Sequence, residues 1–137
     1  VSLEGTLNGT GTLSAADYYL YGATANANLG AGSLFNVGGV SILNGTSAAG
    51  TVAVQAGTLR LGESGRLADS ASLSVFSNTT LDLQGFDETV ATVFLNGTLT
   101  GAGTPFSPLV NGDSKSPELV AWNPPPVGTG TLTAAEY

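Results

Sequence analysis

The chain has 137 residues, of which only 9% are charged, and its net charge is −7 because Lys and Arg together number three. Three cations cannot form the clustered basic patch that nucleic-acid phosphates or anionic membrane surfaces require, so neither class of partner is expected. Cys and His are absent, which excludes a disulfide framework and the usual zinc and Ser-His-Asp sites. The sequence also lacks an apolar run long enough for a transmembrane helix, so we expect no membrane insertion. It begins at Val1 without a secretion-signal pattern, which predicts processing or excision from a longer protein.

Two strings near the start of the chain recur near its end. "GTGTLSAADY" at 9–18 returns as "GTGTLTAAEY" at 128–137, an offset of 119 residues. "LEGTLNGTGT" at 3–12 matches "LNGTLTGAGT" at 95–104 in seven of ten positions, an offset of 92. The two offsets differ by 27 residues. This pattern predicts an array of similar units with a block inserted before the last copy.

Short alternating runs follow one another along the middle of the chain. They are TVAVQ at 51–55, TLRLG at 58–62, SLSVF at 72–76, TLDLQ at 80–84 and TVFLNGTLTG at 92–101. Alternation of apolar and polar residues predicts strands that are buried on one side, and the Gly, Asn and Asp residues between them predict turns.

A finer period points to the architecture. The apolar residues Leu34, Val54, Val75 and Leu95 are spaced 20, 21 and 20 residues apart. About 20 residues per coil is typical of a parallel β-solenoid, with Gly and Asn at the corners and Thr on the outside. The period does not extend into residues 1–33, and the offset of 92 is not a whole number of such coils. We therefore predict an all-β fold, with a solenoid repeat region over 1–104.

The segment 105–127 departs from this pattern. It holds all six prolines, the only Trp and the only Lys. Because Pro cannot donate a ladder hydrogen bond, this segment is predicted to be an extended loop or arm. It could cap the solenoid, dock on a neighbouring subunit or be a disordered spacer. Segment 128–137 is then the start of the next repeat or a terminal strand. The predicted assembly contacts are Trp122, Phe106, Leu119, Val120, Leu132 and Tyr137.

Candidate catalytic chemistry is limited to a few carboxylates. Asp82, Asp87 and Glu88 are the acidic residues that a polysaccharide-cleaving site could use, since glycosidases need two carboxyls about 5–10 Å apart in a cleft. "GFDETV" reads better as a corner in which Asp87 and Glu88 accept turn N–H groups. Arg60 and Arg66 are predicted to lie in a solvated turn with local charge pairs. We predict no catalytic residue, no cofactor and no metal site.

Surface chemistry is carried by amides and by one aromatic cluster. Four Asn residues begin N-x-S/T sequons and are candidate glycosylation sites: Asn8, Asn44, Asn78 and Asn96. Turn geometry alone also explains Asn-Gly at a corner. The aromatic cluster is formed by Tyr18, Tyr19 and Tyr21, which could pack in the core or stack on a carbohydrate.

The strings "GTGTLSAADYYLYGATANANLGAGSL", "SILNGTSAAGTVAVQAGTLRLG", "ESGRLADSASLSV" and "NTTLDLQGFDETVATVFLNGTLTGAGT" carry a family resemblance. Over residues 3–104 and 128–137 the chain resembles the repeats of large bacterial secreted haemagglutinins and adhesins. These include the filamentous-haemagglutinin-like exoproteins of two-partner secretion and the passenger β-helix repeats of autotransporters. The resemblance implies a right-handed parallel β-helix that is exported across a Gram-negative envelope and serves as a stalk or adhesive fibre.

Three functions follow as hypotheses. The first is a structural or adhesive segment of an adhesin that is secreted or exposed at the cell surface. The alternative is a subunit of an extracellular filament, joined head-to-tail through its C-terminal strand. A distant third is a polysaccharide-active enzyme. The expected partners are further copies or repeats of the chain itself, together with glycans or surface proteins of a host or of the environment.

Overall fold

The computed structural model describes residues 1–101 in full and the backbone of residues 132–136. Every regular element in this part of the chain is a β-strand, which confirms the all-β prediction. The strands are β1 (Ser2–Leu3), β2 (Thr6–Leu7), β3 (Thr12–Leu13), β4 (Asp17–Tyr21), β5 (Thr24–Ala25), β6 (Asn28–Leu29), β7 (Ser33–Leu43), β8 (Thr51–Leu61), β9 (Ser72–Val75), β10 (Thr80–Asp82), β11 (Glu88–Leu95), β12 (Thr98–Thr100) and β13 (Leu132–Glu136).

The strands stack as successive coils of a β-solenoid of about six turns, and all the strand pairs are parallel. The first face consists of β1, β4, the first half of β7, the first half of β8, β9 and β11. The second face consists of β2, β5, the second halves of β7 and β8, β10 and β12. A shorter third face contains β3 and β6. The solenoid prediction is therefore confirmed, while the right-handed winding stays a prediction.

The core is a set of side-chain columns that run along the solenoid axis. On the first face, successive coils place Tyr18, Leu34, Val52, Leu73 and Val93 above one another. Each of these five side chains is buried, because alternation along a strand sends every second residue inward. Each fully buried Leu or Val contributes about 1.5–3 kcal/mol relative to exposure, so the columns are the main source of stability.

The predicted spacing of about 20 residues is wrong for the N-terminal coils. Leu34 pairs with Val52, whereas the partner of Val54 is Asn36. The coil lengths read from the register are 17, 16, 18, 21 and 20 residues. Leu3 consequently lies in the same column as Leu95, five coils earlier, so the offset of 92 is a whole number of coils.

The C-terminal copy of the repeated string also returns to its column. Strand β13 pairs with the start of β11, with Leu132 opposite Glu88 and Glu136 opposite Thr92. Followed through the intervening coils, Asp17 and Glu136 occupy one column five coils apart. The backbone of Leu132–Glu136 therefore continues the solenoid. The predicted loop or arm over 105–127 lies outside the described residues.

The corner between the first and second faces depends on glycine and on one buried amide. Gly57 has φ +73°, and a Cβ there would overlap the carbonyl oxygen of Gly39 in the neighbouring coil. The strand register shifts after Asn36, whose Nδ2 donates to the carbonyl oxygen of Ala56 at 2.6 Å. Asn36 Oδ1 is buried without a hydrogen-bond partner among the described residues. The inward amide therefore replaces a ladder bond that the irregular corner cannot make.

Candidate functional site: the outer side of the first face

The outer side of the first face carries the largest group of exposed aromatic rings in the described part of the chain. One outward column contains Tyr19, Phe35, Ala53, Ser74 and Phe94 in successive coils. The Tyr19 and Phe35 rings are stacked, with centroids 5.3 Å apart and planes inclined by 19°. Phe94 is 40% exposed at the other end of the column.

The middle of this column is made of small residues. Ala53 and Ser74 lie between Phe35 and Phe94, and Ala53 is only 5% exposed. Coils are about 4.8 Å apart, so the two Phe residues are separated by about 14 Å along the axis. We call this stretch, bounded by Phe35 and Phe94 and floored by Ala53 and Ser74, the saddle.

A column of hydroxyl groups runs beside the saddle. It contains Ser33, Thr51, Ser72 and Thr92 in successive coils, with Asp17 at its N-terminal end. Thr92 Oγ1 donates to Ser72 Oγ at 2.9 Å. Thr51 is exposed, and its hydroxyl makes no hydrogen bond among the described residues. Hydroxyl groups donate and accept, so this column can bind polar groups of either kind.

The tyrosine cluster predicted from the sequence is divided by the sheet. Tyr18 lies in the core, where its hydroxyl donates to the carbonyl oxygen of Leu13 at 2.9 Å and accepts the N–H of Ala15 at 2.8 Å. Tyr19 and Tyr21 point outward, and Tyr21 is 47% exposed. Both readings of the cluster thus apply, each to different members, because adjacent residues on a strand face opposite sides.

The second face carries an ion pair beside an open recess. Arg60 Nε lies 3.0 Å from Asp82 Oδ2 in the next coil, while Asp82 Oδ1 accepts the N–H of Gln84 at 2.9 Å. The recess has a volume of about 360 Å³, and Thr100 and Gly101 complete its lining. The prediction that Arg60 pairs locally is wrong, since its partner lies one coil away. Both polar side chains are already paired, so the recess presents no free charge.

Glu88 is buried inside the solenoid, although the sequence placed it in a solvated corner. Its Oε2 accepts the backbone N–H groups of Arg66 at 2.8 Å and Leu67 at 3.2 Å. The predicted acceptor role is thus confirmed for Glu88. Desolvation by burial raises the pKa of the Glu88 carboxyl, against the lowering effect of these hydrogen bonds and of the Arg66 charge.

The other acidic candidates do not join Glu88 in a cleft. Asp82 points outward on the second face, tied to Arg60, whereas Glu88 points inward. Asp87 is exposed and donates its backbone N–H to Ser64 Oγ at 3.0 Å. Arg66 forms the predicted local charge pair, with its Nη1 3.3 Å from Glu63 Oε2. Each contact is one that stabilises a corner or joins two coils.

Three asparagines form a ladder that sequence analysis did not anticipate. Asn26 Nδ2 donates to Asn8 Oδ1, and Asn44 Nδ2 donates to Asn26 Oδ1, each at 2.7 Å. The signal that could have revealed the ladder is the spacing of 18 residues between successive members. Two of the four sequon asparagines, Asn8 and Asn44, thus have a structural role at a corner. All four are exposed, and Asn78 has φ +63°.

The remaining predicted site residues and site types are quickly placed. The assembly contacts Trp122, Phe106, Leu119, Val120 and Tyr137 lie outside the described residues, and only the backbone of Leu132 is described. Within the described part of the chain, His, Cys, Asp and Glu side chains do not gather in a group of three that could hold a metal ion. In the same residues, no helical segment has the length and apolarity that a membrane crossing requires.

Comparison with protein-family models, with curated proteins and with solved structures gives no match for this chain.

Proposed function

We propose that this solenoid is a structural and adhesive segment of a bacterial adhesin that is secreted or exposed at the cell surface. The observation that carries the proposal is the exposure of aromatic rings on one face of a stiff scaffold. Tyr21, Phe76 and Phe94 are 40% to 47% exposed. Apolar groups grouped on the surface of a soluble domain commonly mark interaction sites. The resemblance of the repeats to secreted adhesins supports the same function.

The arrangement of the coils supports a structural role. Parallel ladders connect each coil to the next, so the outward columns form straight rows along the axis. Repeat arrays of this kind gain stability from contacts between neighbouring units. Because the repeated strings lie five whole coils apart, an array with this period can continue without losing its columns.

Adhesion of coated beads tests the proposal. Beads that carry the whole chain are expected to bind to bacterial, epithelial or polysaccharide-coated surfaces under flow, whereas beads that carry the heat-unfolded chain are not. Equal retention of the two bead types on every surface would contradict an adhesive role of the folded solenoid.

A head-to-tail filament is the second candidate function, and the position of β13 favours it. Residues 102–131 separate Gly101 from this strand, and the strand adds to β11 through backbone pairing. Such a strand could come from a neighbouring copy, as in strand addition. Electron microscopy of the whole chain and of Ala134→Pro, which lacks the strand's central N–H, separates the two functions. Long fibres that disappear in the variant support a filament, and short particles in both support the segment.

A further inference from the structure

We propose that the saddle binds a neutral polysaccharide, whose chain lies along the solenoid axis between Phe35 and Phe94. This proposal rests on the adhesive function above and specifies its ligand. The saddle combines three properties that are independent of one another: rings at its two ends, small side chains between them, and a row of hydroxyls along one side.

The rings and the floor fit the faces of sugar units. Phe94 is 40% exposed, and Phe35 is held in place by its stack on Tyr19. Aromatic rings are rigid apolar platforms, and a sugar ring presents C–H groups on its faces. Ala53 and Ser74 leave space between the two rings, which lie about 14 Å apart. A short segment of a linear polysaccharide therefore fits between them.

The hydroxyl column fits the edges of the same sugar units. Ser33, Thr51, Ser72 and Thr92 place one hydroxyl per coil along the saddle. Thr51 Oγ1 makes no hydrogen bond among the described residues, so it is available to a ligand. A hydroxyl that both donates and accepts matches the hydroxyls of a sugar, which do the same. Regular spacing along one direction suits a polymer of similar units better than the irregular surface of a protein.

Charge selects a neutral ligand. From Ser33 to Leu95, the outward side chains on the first-face strands are uncharged. The cations of the described residues are the N-terminal ammonium, which donates to the carbonyl oxygen of Asp17, and two arginines that face carboxylates. The net charge of −7 opposes anionic polymers further. An acidic glycan would thus find no partner for its carboxylates or sulfates.

Affinity electrophoresis of the whole chain tests the proposal. Native gels contain one soluble polymer each: a β-1,4-glucan, a β-1,3-glucan, a mannan, a galactan or, as an acidic comparison, alginate. We expect at least one neutral polymer to retard the chain and alginate not to. Phe94→Ala is expected to weaken that retardation roughly three- to tenfold, the range for one aromatic contact.

Two further variants keep the result independent of folding. Ala53→Arg fills the floor of the saddle with a long side chain that points to solvent, and it is expected to abolish retardation. Val40→Ala removes an equally exposed apolar side chain from the second face, and it should behave like the wild type. Circular dichroism establishes that each variant is folded.

Several outcomes would overturn the proposal. They are the absence of retardation by every neutral polymer, equal retardation by alginate, and equal behaviour of Phe94→Ala, Ala53→Arg and Val40→Ala. Beads coated with the same variants then separate this inference from the adhesive function. Beads that still adhere after both saddle substitutions would show that adhesion uses another ligand, such as a protein. If no beads adhere, the adhesive function itself fails.

Discussion

The carboxylate of Glu88 accepts the backbone N–H of Arg66 from 2.8 Å away, although Arg66 belongs to the preceding coil. The same oxygen accepts the N–H of Leu67, and Oε1 accepts the N–H of Thr89 at 3.2 Å. An inward side chain thus satisfies backbone donors at a place where the coil turns and regular pairing stops. Buried N–H groups need such partners, because an unpaired one costs about 1–3 kcal/mol.

The buried carboxyl makes stability depend on pH. Burial raises the pKa of Glu88 above its ordinary value of 4.5, so the folded chain holds this proton more tightly than the unfolded chain. Its contribution to the free energy of unfolding is therefore fully present below pH 4.5 and is lost as the pH rises through the raised pKa. In Glu88→Gln that loss is absent. Urea unfolding across this pH range should show the wild type losing stability relative to the variant.

Glu4→Gln is the matched control, since Glu4 is an exposed glutamate in the first coil. It changes the net charge by the same amount without removing a buried carboxyl. A stability difference between the wild type and Glu88→Gln that stays constant with pH would contradict the assignment.

Asn26 is the central member of the asparagine ladder, so its loss removes two hydrogen bonds at once. Asn26→Ala is expected to lower the free energy of unfolding by about 1 kcal/mol, a modest value because the ladder is exposed. Asn8→Ala removes one bond and should cost about half as much. Urea unfolding at neutral pH measures both. A cost for Asn8→Ala that equals or exceeds that for Asn26→Ala would show that the ladder is not the cause.

Two glycines with similar backbone angles separate strain from collision. Gly57 has φ +73°, and its added Cβ would overlap the carbonyl oxygen of Gly39, whereas Gly65 has φ +65° with open space around it. Gly65→Ala should cost about 1 kcal/mol, the penalty of the left-handed conformation alone. Gly57→Ala adds overpacking and should cost about 3 kcal/mol or more. Thermal unfolding compares them, and equal midpoints would disprove close packing at this corner.

The ion pair on the second face allows a comparison of its two partners. Arg60 is 39% exposed, so the pair itself contributes less than about 1 kcal/mol. Asp82 also accepts the N–H of Gln84, whose φ is +51°. Asp82→Ala should therefore cost more than Arg60→Ala in urea unfolding. The order should persist in high salt, which screens the pair but not the hydrogen bond. The reverse order would assign the stabilisation to the charges.

The fold was predictable because its strand pattern is local, and the register was less so. Alternation in TVAVQ and SLSVF identifies strands and their inward sides without reference to other coils. The column of Val54 depends on which residue of the previous coil it meets, and a constant period selects Leu34 in place of Asn36. A polar residue at an inward position, such as Asn36, hides the column from any search for apolar repeats.

The candidate site was predictable only in part. The aromatic cluster at Tyr18, Tyr19 and Tyr21 was visible in the sequence, but the saddle was not. Its end rings, Phe35 and Phe94, are far apart in the chain and meet in one column only when coils of unequal length are stacked. Glu88 was placed at a turn correctly, while its burial depends on the packing of two coils and has no local signal.

The coil lengths of 16 to 21 residues have a consequence for how this molecule can change. Columns are set by the pairing of each strand with its neighbour, so residues added at a corner do not shift the strands that follow. Insertions and deletions at corners are thus far less damaging than inside a strand, where a one-residue slip turns every side chain over. The thirty residues between Gly101 and Leu132 mark the largest such interval in the chain, and β13 still falls in its column. This corner is accordingly a natural place to graft a foreign peptide and display it from the solenoid.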